Sequence, residues 1–411
     1  MKIGVLQLNS TIGDYDANLR KLLAGYEKVC GLGAEFVIAP ELFLCGYAPR
    51  DLLLREDFLE ASQRALAEAA KQTGPVPLCV GYVDRNLARP GRPLTNSAAI
   101  LQNGEIIWRQ PKSLLPTYDV FDEDRYFEPG KNVAPFAFNS GKIGITICED
   151  IWNDKDFWPE RLYRRDPVKE LVGQGADLIL NISASPWHAG KEKNRLAMLQ
   201  RVARDERVPL VQVNLVGAND ELIFDGNSVA LNRKGEPIAV GKSFAEEVFV
   251  VDVDGDAPAV EVKWPAGEEQ LFRALSLGIR DYVHKCGFKS VVVGLSGGID
   301  SALTAVLAVD ALGADKVLGV SMPARYSSTG SLTDAEALGD IAARAGLDRK
   351  AVVTYLASRE GRDTIAKADV EARSNGIGGV PFFIFNRKIG VSGAQDPDTL
   401  VQAMEQAAAE G

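Results

Sequence analysis

The sequence predicts an α/β protein of two or three domains, and three observations support this prediction. Short apolar strands alternate with amphipathic helices up to about residue 253, which is the pattern of a layered α/β domain. A stretch rich in turn-forming residues follows at 256–267. A β-branched run at 291–293 then leads through a glycine-rich turn into a helix. The length of 411 residues suits this number of domains.

The periodicity of the first domain predicts strands at 3–8, 36–39, 143–148, 178–181 and 210–214, and helices near 16–29, 59–72 and 191–205. Three strands end beside reactive side chains, namely Glu41, Cys148 and the serines of the 183–185 loop. Because α/β proteins usually place their sites in loops after strand ends, we expect a site where these ends meet.

Cys148 ends the strand in the string GITICEDIW at 144–152 and is a candidate nucleophile. An isolated cysteine at a strand end is more often a buried, inert apolar residue. A nucleophilic cysteine needs a nearby cation or base. The chain has only two histidines, so a lysine and a glutamate would have to serve. Glu41 in PELFLCGY at 40–47 and Lys112 in PKSLLPTYDVFDE at 111–123 supply that pair, although each alone would be a solvated surface charge.

These strings, in this order, closely resemble the nitrilase superfamily over residues 1–255. The stretch ELFLCGYAPRDLLL at 41–54 is especially similar to the glutaminase domain of glutamine-dependent NAD synthetases. The resemblance implies a four-layer αββα fold and glutamine hydrolysis through a thioester. It gives Glu41 the role of general base, Lys112 that of oxyanion support and Cys148 that of nucleophile.

The resemblance also implies which residues bind the charged amino-acid end of glutamine, namely Tyr118, Ser185 and Lys191. His188, in the same loop as Ser185, could be a rival base, but we interpret it as a loop-packing residue. Cys45 stands where the family usually has a small hydroxyl residue, and we expect it to pack near the site.

A second motif, VVVGLSGGIDS at 291–301, predicts a phosphate-binding turn between a buried strand and a helix. Glycines let the backbone approach a ligand, and amides at a helix start can cradle an anion. Two glycines alone would indicate only a turn that connects the strand to the helix, without ligand binding. The whole string resembles the pyrophosphate loop of the ATP pyrophosphatase family, and no Walker-type Gly-Lys-Ser/Thr end follows it. The resemblance implies Asp300 as a magnesium ligand and an ATP site formed by Gly294, Leu295, Ser296, Gly297, Gly298, Ile299, Asp300 and Ser301.

The string MPARYSSTGSLTDA at 322–335 resembles NAD synthetases within that family. A capped helix start would explain the hydroxyl residues of this string but not its first five residues, MPARY. The resemblance implies that such domains continue for well over a hundred residues beyond this point. We therefore expect a partial synthetase domain at 268–342, with its activity impaired by truncation.

The final segment, 343–411, differs in character from what precedes it. GIGGVPFFIFN at 376–386, VSGAQ at 391–395 and a helix near 397–409 resemble the C-terminal half of DsbA-type, thioredoxin-like proteins. The Val380–Pro381 bond is a candidate cis peptide. A plain hairpin after a turn is the alternative. No Cys-x-x-Cys pair is present in this segment, so we expect no redox catalysis from it.

Composition narrows the classes of partner. The net charge of −10 argues against nucleic acid and anionic membranes, and no apolar stretch approaches the length of a membrane span. The five cysteines are scattered, which indicates neither a zinc site nor a disulfide framework and suits a reducing cytoplasm. We expect a cytoplasmic homo-oligomer that binds small-molecule substrates only.

The combined prediction is an α/β protein with a four-layer αββα nitrilase-like domain at 1–255 and a linker at 256–267. A partial doubly wound parallel-sheet ATP pyrophosphatase domain and a thioredoxin-like fragment follow. Glutamine hydrolysis would supply ammonia for the ATP- and Mg²⁺-dependent amidation of deamido-NAD to NAD. A stand-alone nitrilase-type amidase or glutaminase, or an inactive fusion remnant, is the alternative.

Overall fold

The computed structural model describes residues 1–88, 90–152, 162–254, 257–295 and 298–321, together with 348, 350, 382–385, 389–392, 402 and 406. Contacts divide the chain into two compact units. The first comprises Met1–Val292 and Leu307–Leu318, and the second comprises Val293–Val306 and Gly319–Gly411.

The described helices are α1 (Tyr15–Gly31), α2 (Glu56–Gln72), α3 (Pro167–Gly173), α4 (Lys191–Glu206), α5 (Gly267–Lys285) and α6 (Ile299–Leu312). The first strands are β1 (Lys2–Gln7), β2 (Phe36–Ile38), β3 (Leu78–Arg85), β4 (Leu94–Gln102), β5 (Glu105–Pro111), β6 (Phe136–Phe138), β7 (Gly141–Ile147), β8 (Leu178–Ser183) and β9 (Leu210–Asn214). The remaining strands are β10 (Val216–Asn219), β11 (Leu222–Asp225), β12 (Val229–Leu231), β13 (Pro237–Val240), β14 (Glu247–Asp252), β15 (Val291–Leu295), β16 (Val317–Ser321), β17 (Phe382–Phe385) and β18 (Ile389–Ser392).

Two six-stranded sheets form the framework of the first unit. Their strand orders are β14-β1-β2-β3-β4-β5 and β13-β12-β9-β8-β7-β6. Strands β1, β2 and β3 run parallel at the centre of the first sheet, and β7, β8 and β9 run parallel at the centre of the second. These central strands are almost wholly buried, as expected for parallel strands that are covered on both faces.

Three apolar cores stack these sheets and helices into four layers. One core lies between the sheets and includes Ile3, Val5, Phe36, Ile145, Leu180 and Val211. A second joins the first sheet to α1 and α2, and a third joins the second sheet to α3 and α4. Successive side chains of a strand point to opposite faces of the sheet, which explains why one strand contributes to two cores. Val5 faces the inter-sheet core, while its neighbour Leu6 faces the helices. The predicted αββα architecture is confirmed.

Helix α5 belongs to the first unit. Its residues Ala274 and Leu277 form a small apolar core with Val216 and Phe244, on β10 and in the loop before β14. The sequence assigned this helix to the second predicted domain. The predicted domain boundaries themselves stay predictions.

Strands β15 and β16 pair in a two-stranded sheet, with α6 between them in sequence. The predicted strand-to-helix order at 291–301 is present, but Val292 is 67% exposed and β15 is not buried, so the prediction of a buried strand is wrong. In the second unit, β17 and β18 form an antiparallel pair in which Phe382 faces Ser392. The Val380–Pro381 bond, the MPARY string and nearly all of the expected 397–409 helix lie outside the described residues. The thioredoxin-like tail stays a prediction. None of the helices within the described ranges has the length and hydropathy that a bilayer crossing requires.

Candidate active site

Cys148 follows the last residue of β7 and starts one turn of 3-10 helix, Cys148–Ile151. Its φ of +41° lies in the left-handed region that residues with a side chain rarely adopt. Such strain persists only where the surroundings hold it, and it is concentrated at functional sites. Here the Asp150 carboxylate holds the turn by accepting the Ile147 N–H at 3.1 Å. The thiol-bearing residue itself is only 3% exposed.

Glu41 is placed by a close approach between the loop after β2 and strand β3. The Gly81 N–H donates to the Pro40 carbonyl at 3.1 Å. A Cβ on Gly81 would stand 2.2 Å from the Leu42 nitrogen and 2.6 Å from the Glu41 Cα, so glycine is required for this approach. Glu41 is fully buried as a result.

Lys112 follows β5 and is also fully buried. Its Nζ donates to Glu41 Oε1 at 2.7 Å and to the two carboxylate oxygens of Glu123 at 2.8 and 2.9 Å. The two residues that the sequence paired from distant strings therefore meet directly. A single ammonium group bridges two buried carboxylates.

Further hydrogen bonds complete the surroundings of these carboxylates. The Asn96 amide donates to Glu41 Oε1 at 2.7 Å, and the Ala184 N–H donates to Glu41 Oε2 at 2.9 Å. The Tyr47 hydroxyl donates to Glu123 Oε1 at 2.9 Å. Buried charges need such pairing, because an unpaired buried carboxylate is costly.

Burial and neighbouring charge set the protonation of the cluster. Burial raises the pKa of the Cys148 thiol well above its ordinary value, Glu41 raises it further, and Lys112 opposes both. Burial acts to lower the pKa of Lys112, but Glu123 and Glu41 outweigh it, so that pKa stands well above its usual range. Burial raises the pKa of Glu123 against the effect of Lys112. The resting site therefore holds a protonated thiol beside a charged lysine.

Two of the residues expected to bind glutamine lie around Glu149, the neighbour of Cys148. The Tyr118 hydroxyl is 3.0 Å from both Glu149 carboxylate oxygens, and the Tyr163 hydroxyl donates to Oε1 at 3.0 Å. The Lys191 Nζ donates to the Pro186 carbonyl at 2.7 Å and lies 5.6 Å from the centre of the Trp152 ring. Burial lowers the pKa of Lys191, and the nearby Asp225 and Glu149 carboxylates oppose that shift.

Ser185, the third expected glutamine-binding residue, is buried, and its N–H donates to Asn214 Oδ1 at 2.9 Å. Its neighbour Ala184 contacts Glu41, so the 183–185 loop does reach the site. Cys45 is buried beside the Glu41 loop, as expected. His188 is exposed, so the interpretation of it as a loop-packing residue is wrong.

A cavity of about 480 Å³ adjoins the cluster. Its walls include Leu42, Tyr47 and Glu123 together with residues 119–122, which follow Tyr118 in the chain. The cavity therefore reaches Glu123, the partner of Lys112, from the side of the loop that carries a predicted substrate-binding residue.

The sequence did not single out Glu123, Asn96, Glu149 or Tyr163. Glu123 ends the very string that supplied Lys112, but Pro116 lies between them and interrupts any helix, so no helix period predicts their approach. Asn96 could have been predicted to have a structural or functional partner, since it is a polar residue inside the buried strand β4, where polar groups need hydrogen bonds.

The predicted ATP loop is described only in part, because Ser296 and Gly297 lie outside the described residues. At the start of α6, the Ser301 hydroxyl donates to the Gly298 carbonyl at 2.9 Å, and Ile299 is 83% exposed. Asp300 is exposed in the first turn of α6. Within the described ranges, no group of three or more His, Cys, Asp or Glu side chains could hold a metal ion. A lone carboxylate nevertheless fits Mg²⁺, which proteins often bind through one or two carboxylates plus substrate phosphates.

Comparisons with known proteins agree with this geometry. A model described as carbon-nitrogen hydrolase matches residues 2–260. The chain belongs to the carbon-nitrogen hydrolase family. A second model, described as NAD synthase, matches residues 271–377 and so extends past residue 342, the predicted end of the synthetase segment.

Relatives described as glutamine-dependent NAD(+) synthetases are similar to most of the chain. The protein from Synechocystis sp. is 43% identical over 345 residues and that from Thermotoga maritima 38% identical over 377 residues. Each alignment covers 82% of this chain, which spans 62% and 63% of the lengths of those relatives.

Solved structures give the same two likenesses. Glutamine-dependent NAD+ synthetase from Acinetobacter baumannii, solved in complex with ADP, has a TM-score of 0.73 and 34% identity, covering 84% of this chain and 63% of that one. The NitN amidase from Neterenkonia sp. AN1 has a TM-score of 0.52 and 22% identity, covering 62% of this chain and 94% of that one. The second likeness concerns the fold alone.

Proposed function

We propose that this chain hydrolyses glutamine at Cys148 and supplies the ammonia for ATP-dependent amidation of deamido-NAD to NAD. The observation that carries the proposal is the buried Lys112 ammonium, bonded to Glu41 and Glu123 and acting electrostatically on a strained cysteine. The similarity to glutamine-dependent NAD(+) synthetases supports both halves of the reaction.

Hydrolysis proceeds through a thioester. Glu41 takes the proton of the Cys148 thiol as sulfur attacks the side-chain carbonyl of glutamine. Burial keeps the thiol protonated at rest, so proton removal must accompany the attack. Lys112 stabilises the negative oxygen of the tetrahedral intermediate. The carbon–nitrogen bond breaks as Glu41 returns the proton and ammonia leaves. Glu41 then deprotonates a water, which cleaves the thioester to glutamate and the free thiol.

The charged end of glutamine needs partners of both signs. Lys191 would pair with the α-carboxylate, with hydrogen bonds from Tyr118 and Ser185. The Glu149 carboxylate, held by two tyrosine hydroxyls, would pair with the α-ammonium group. These assignments predict a preference for amides that carry a free amino-acid end.

The second step would use residues 294–301 for ATP, with Asp300 binding Mg²⁺. Mg²⁺ there would neutralise the phosphate charge as the bond between the α and β phosphates breaks. The chain's own contribution would be the helix start of α6, whose backbone N–H groups suit a phosphate anion. A cytoplasmic location and a homo-oligomeric state belong to this proposal.

Glutamate release tests the first step. We expect the purified chain to form glutamate from glutamine, and Cys148→Ala to lose that activity by several orders of magnitude. Cys286→Ala is the matched control, since Cys286 is exposed and should be dispensable. Equal glutamate release by wild type and Cys148→Ala would refute the proposal.

Hydrolysis without synthesis is the second candidate. It is favoured by one observation: every residue of the Glu41–Lys112–Cys148 site lies in the first unit, within the carbon-nitrogen hydrolase match. NAD formation from deamido-NAD, ATP, Mg²⁺ and free ammonia separates the two candidates. Absence of NAD in that assay, with glutamate still released from glutamine, would leave only the hydrolase. Absence of both products would leave the inactive remnant.

A further inference from the structure

Lys285, the last residue of α5, is held in a partly buried cluster that the proposed chemistry does not use. Its side chain is 14% exposed, and its Nζ lies at hydrogen-bond distance from four acceptors. These are Asn9 Oδ1 at 2.7 Å, the Ser10 and Ala218 carbonyls at 2.8 Å each, and Asn219 Oδ1 at 3.0 Å. Asp281, one turn earlier, lies 3.5 Å from Nζ and accepts from the Ala218 N–H at 2.8 Å.

A continuous set of hydrogen bonds leads from this cluster to the candidate active site. The Asn219 amide donates to the Tyr47 carbonyl at 3.0 Å, and the Tyr47 hydroxyl donates to Glu123 at 2.9 Å. Glu123 in turn accepts from Lys112 at 2.8 Å. Asn219, Tyr47 and Glu123 are all buried, and all of these residues lie in the first unit.

We propose that Lys285 is a positioning residue for glutamine hydrolysis, acting through Asn219 and Tyr47 on the Glu123–Lys112 pair. The inference rests on the proposed function, because it concerns the same site. Lys285 lies within the NAD synthase match, at the end of a helix that begins between the two matches. Attachment of α5 would thereby be required for full glutaminase activity.

The physical reason lies in how Lys112 is shared. Its ammonium group is bonded to Glu41 on one side and Glu123 on the other. A shift of Tyr47 would alter its hydrogen bond to Glu123. The position of the Lys112 ammonium group, which stabilises the oxyanion, would change with it. Small displacements of a catalytic group cost rate rather than substrate affinity. Tyr118, Ser185 and Lys191 are not in the hydrogen-bonded path, so the KM for glutamine should change little.

The cluster also gives the effect a pH dependence. Burial lowers the pKa of Lys285 to about 8; Asp281 and Glu246 oppose that shift, and Lys21 adds to it. An ammonium has three N–H donors, whereas the neutral amine has two and a lone pair that repels a carbonyl. Deprotonation therefore removes a donor from the four acceptors. The hydrogen-bonded path to Glu123 should weaken as the pH rises through about 8.

The test compares three variants of the full chain in glutamine hydrolysis. Lys285→Met removes every donor. Asn219→Asp keeps the acceptor for Lys285 but loses the donation to the Tyr47 carbonyl, and so leaves α5 attached. Lys21→Met is the control, since Lys21 binds the Asn9 carbonyl at 2.7 Å and Glu246 at 2.8 Å without touching Asn219.

We expect Lys285→Met and Asn219→Asp each to lower kcat about tenfold at pH 7 with KM within about twofold. Lys21→Met should have wild-type kcat at pH 7, where Lys285 is protonated in both proteins. If deprotonation of Lys285 lowers the kcat of wild type between pH 7.5 and 9, that fall should be absent from the pH profile of Lys285→Met, which has no lysine to titrate. Unchanged kcat in Lys285→Met would overturn the inference. So would a loss in Lys285→Met with wild-type kcat in Asn219→Asp, because Lys285 would then only attach the helix. A wild-type chain without glutaminase activity would instead end the proposed function, and this inference with it.

Discussion

At the scale of single residues, one lysine carries the electrostatics of the candidate site. Lys112 is the shared partner of Glu41 and Glu123, and all three groups are buried. Removing one partner of a buried ion cluster costs more folding free energy than the intact cluster contributes, because the remaining charges are left buried and unpaired.

Lys112→Met should therefore lower the free energy of unfolding by about 3–5 kcal/mol, in addition to abolishing glutamine hydrolysis. Chemical denaturation measures this change. Lys142→Met is the control, since Lys142 is an exposed lysine bonded to the Gln174 carbonyl, and it should stay within about 0.5 kcal/mol of wild type. An equal, small effect of both substitutions would contradict the buried bridge.

Asp150 gives a prediction about pH. Burial raises its pKa to about 7, against three backbone N–H groups that it accepts from Ile147, Leu114 and Ser113. The unfolded value is about 3.9, so between about pH 4 and 7 the folded chain holds a proton that the unfolded chain has released. The stabilisation from this group is complete below about pH 4 and is lost as the pH rises through about 7.

The Tm of wild type minus that of Asp150→Asn should therefore fall as the pH is raised from 4 to 7, and then level off, in thermal unfolding at a series of pH values. The asparagine has no such titration and serves as the reference. A difference in Tm that does not vary over this range would show that Asp150 does not take up the proton.

Site residues that lie in a recognisable sequence motif could be predicted, whereas those that only the tertiary fold brings to the site could not. Glu41 and Lys112 were paired from their strings, and they meet at 2.7 Å. Glu123 could not be assigned, because its approach to Lys112 depends on the path of the loop between them. The role of Glu149 is not predictable for the same reason, since its tyrosine partners come from separate loops.

At the scale of elements, the site depends on how closely two backbones pass. Gly81→Ala should destabilise the fold by about 1–3 kcal/mol and displace Glu41, because the added carbon would overlap the Leu42 nitrogen. Gly31→Ala is the matched control, since a carbon there meets nothing within 4 Å and alanine favours the helix.

Thermal unfolding and glutaminase assays of both glycine variants check this prediction together. We expect lower Tm and lower kcat for Gly81→Ala, and unchanged kcat with equal or higher Tm for Gly31→Ala. A Gly81→Ala protein with wild-type kcat would mean that the β3 approach does not position Glu41.

Element positions followed closely from local pattern, because hydrophobic periodicity is a local property. The helix expected at 191–205 is α4, Lys191–Glu206, and the strand expected at 210–214 is β9. The attachment of α5 could not be predicted in this way. In the sequence, Lys285 and Asp281 are typical of ordinary helix charges, and only the tertiary fold brings Asn219 to hydrogen-bond distance from Lys285.

At the scale of the whole molecule, the proposed function has two separable sites, one for glutamine and one for ATP. Cys148→Ala should stop NAD formation from glutamine while leaving NAD formation from free ammonia within about twofold of wild type, because ammonia bypasses the thioester step. Measuring NAD with each nitrogen source checks this. Loss of both activities in Cys148→Ala would mean that the two sites are not independent.

The covalent intermediate tests the central claim most directly. The chain is mixed with glutamine, quenched in acid within the first turnover, digested, and weighed by mass spectrometry. We predict an adduct of glutamine less ammonia on the peptide that carries Cys148, abolished in Glu41→Gln and absent from Cys286. An unmodified Cys148 peptide, while glutamate is still being released, would contradict the convergence of Glu41, Lys112 and Cys148 on one amide.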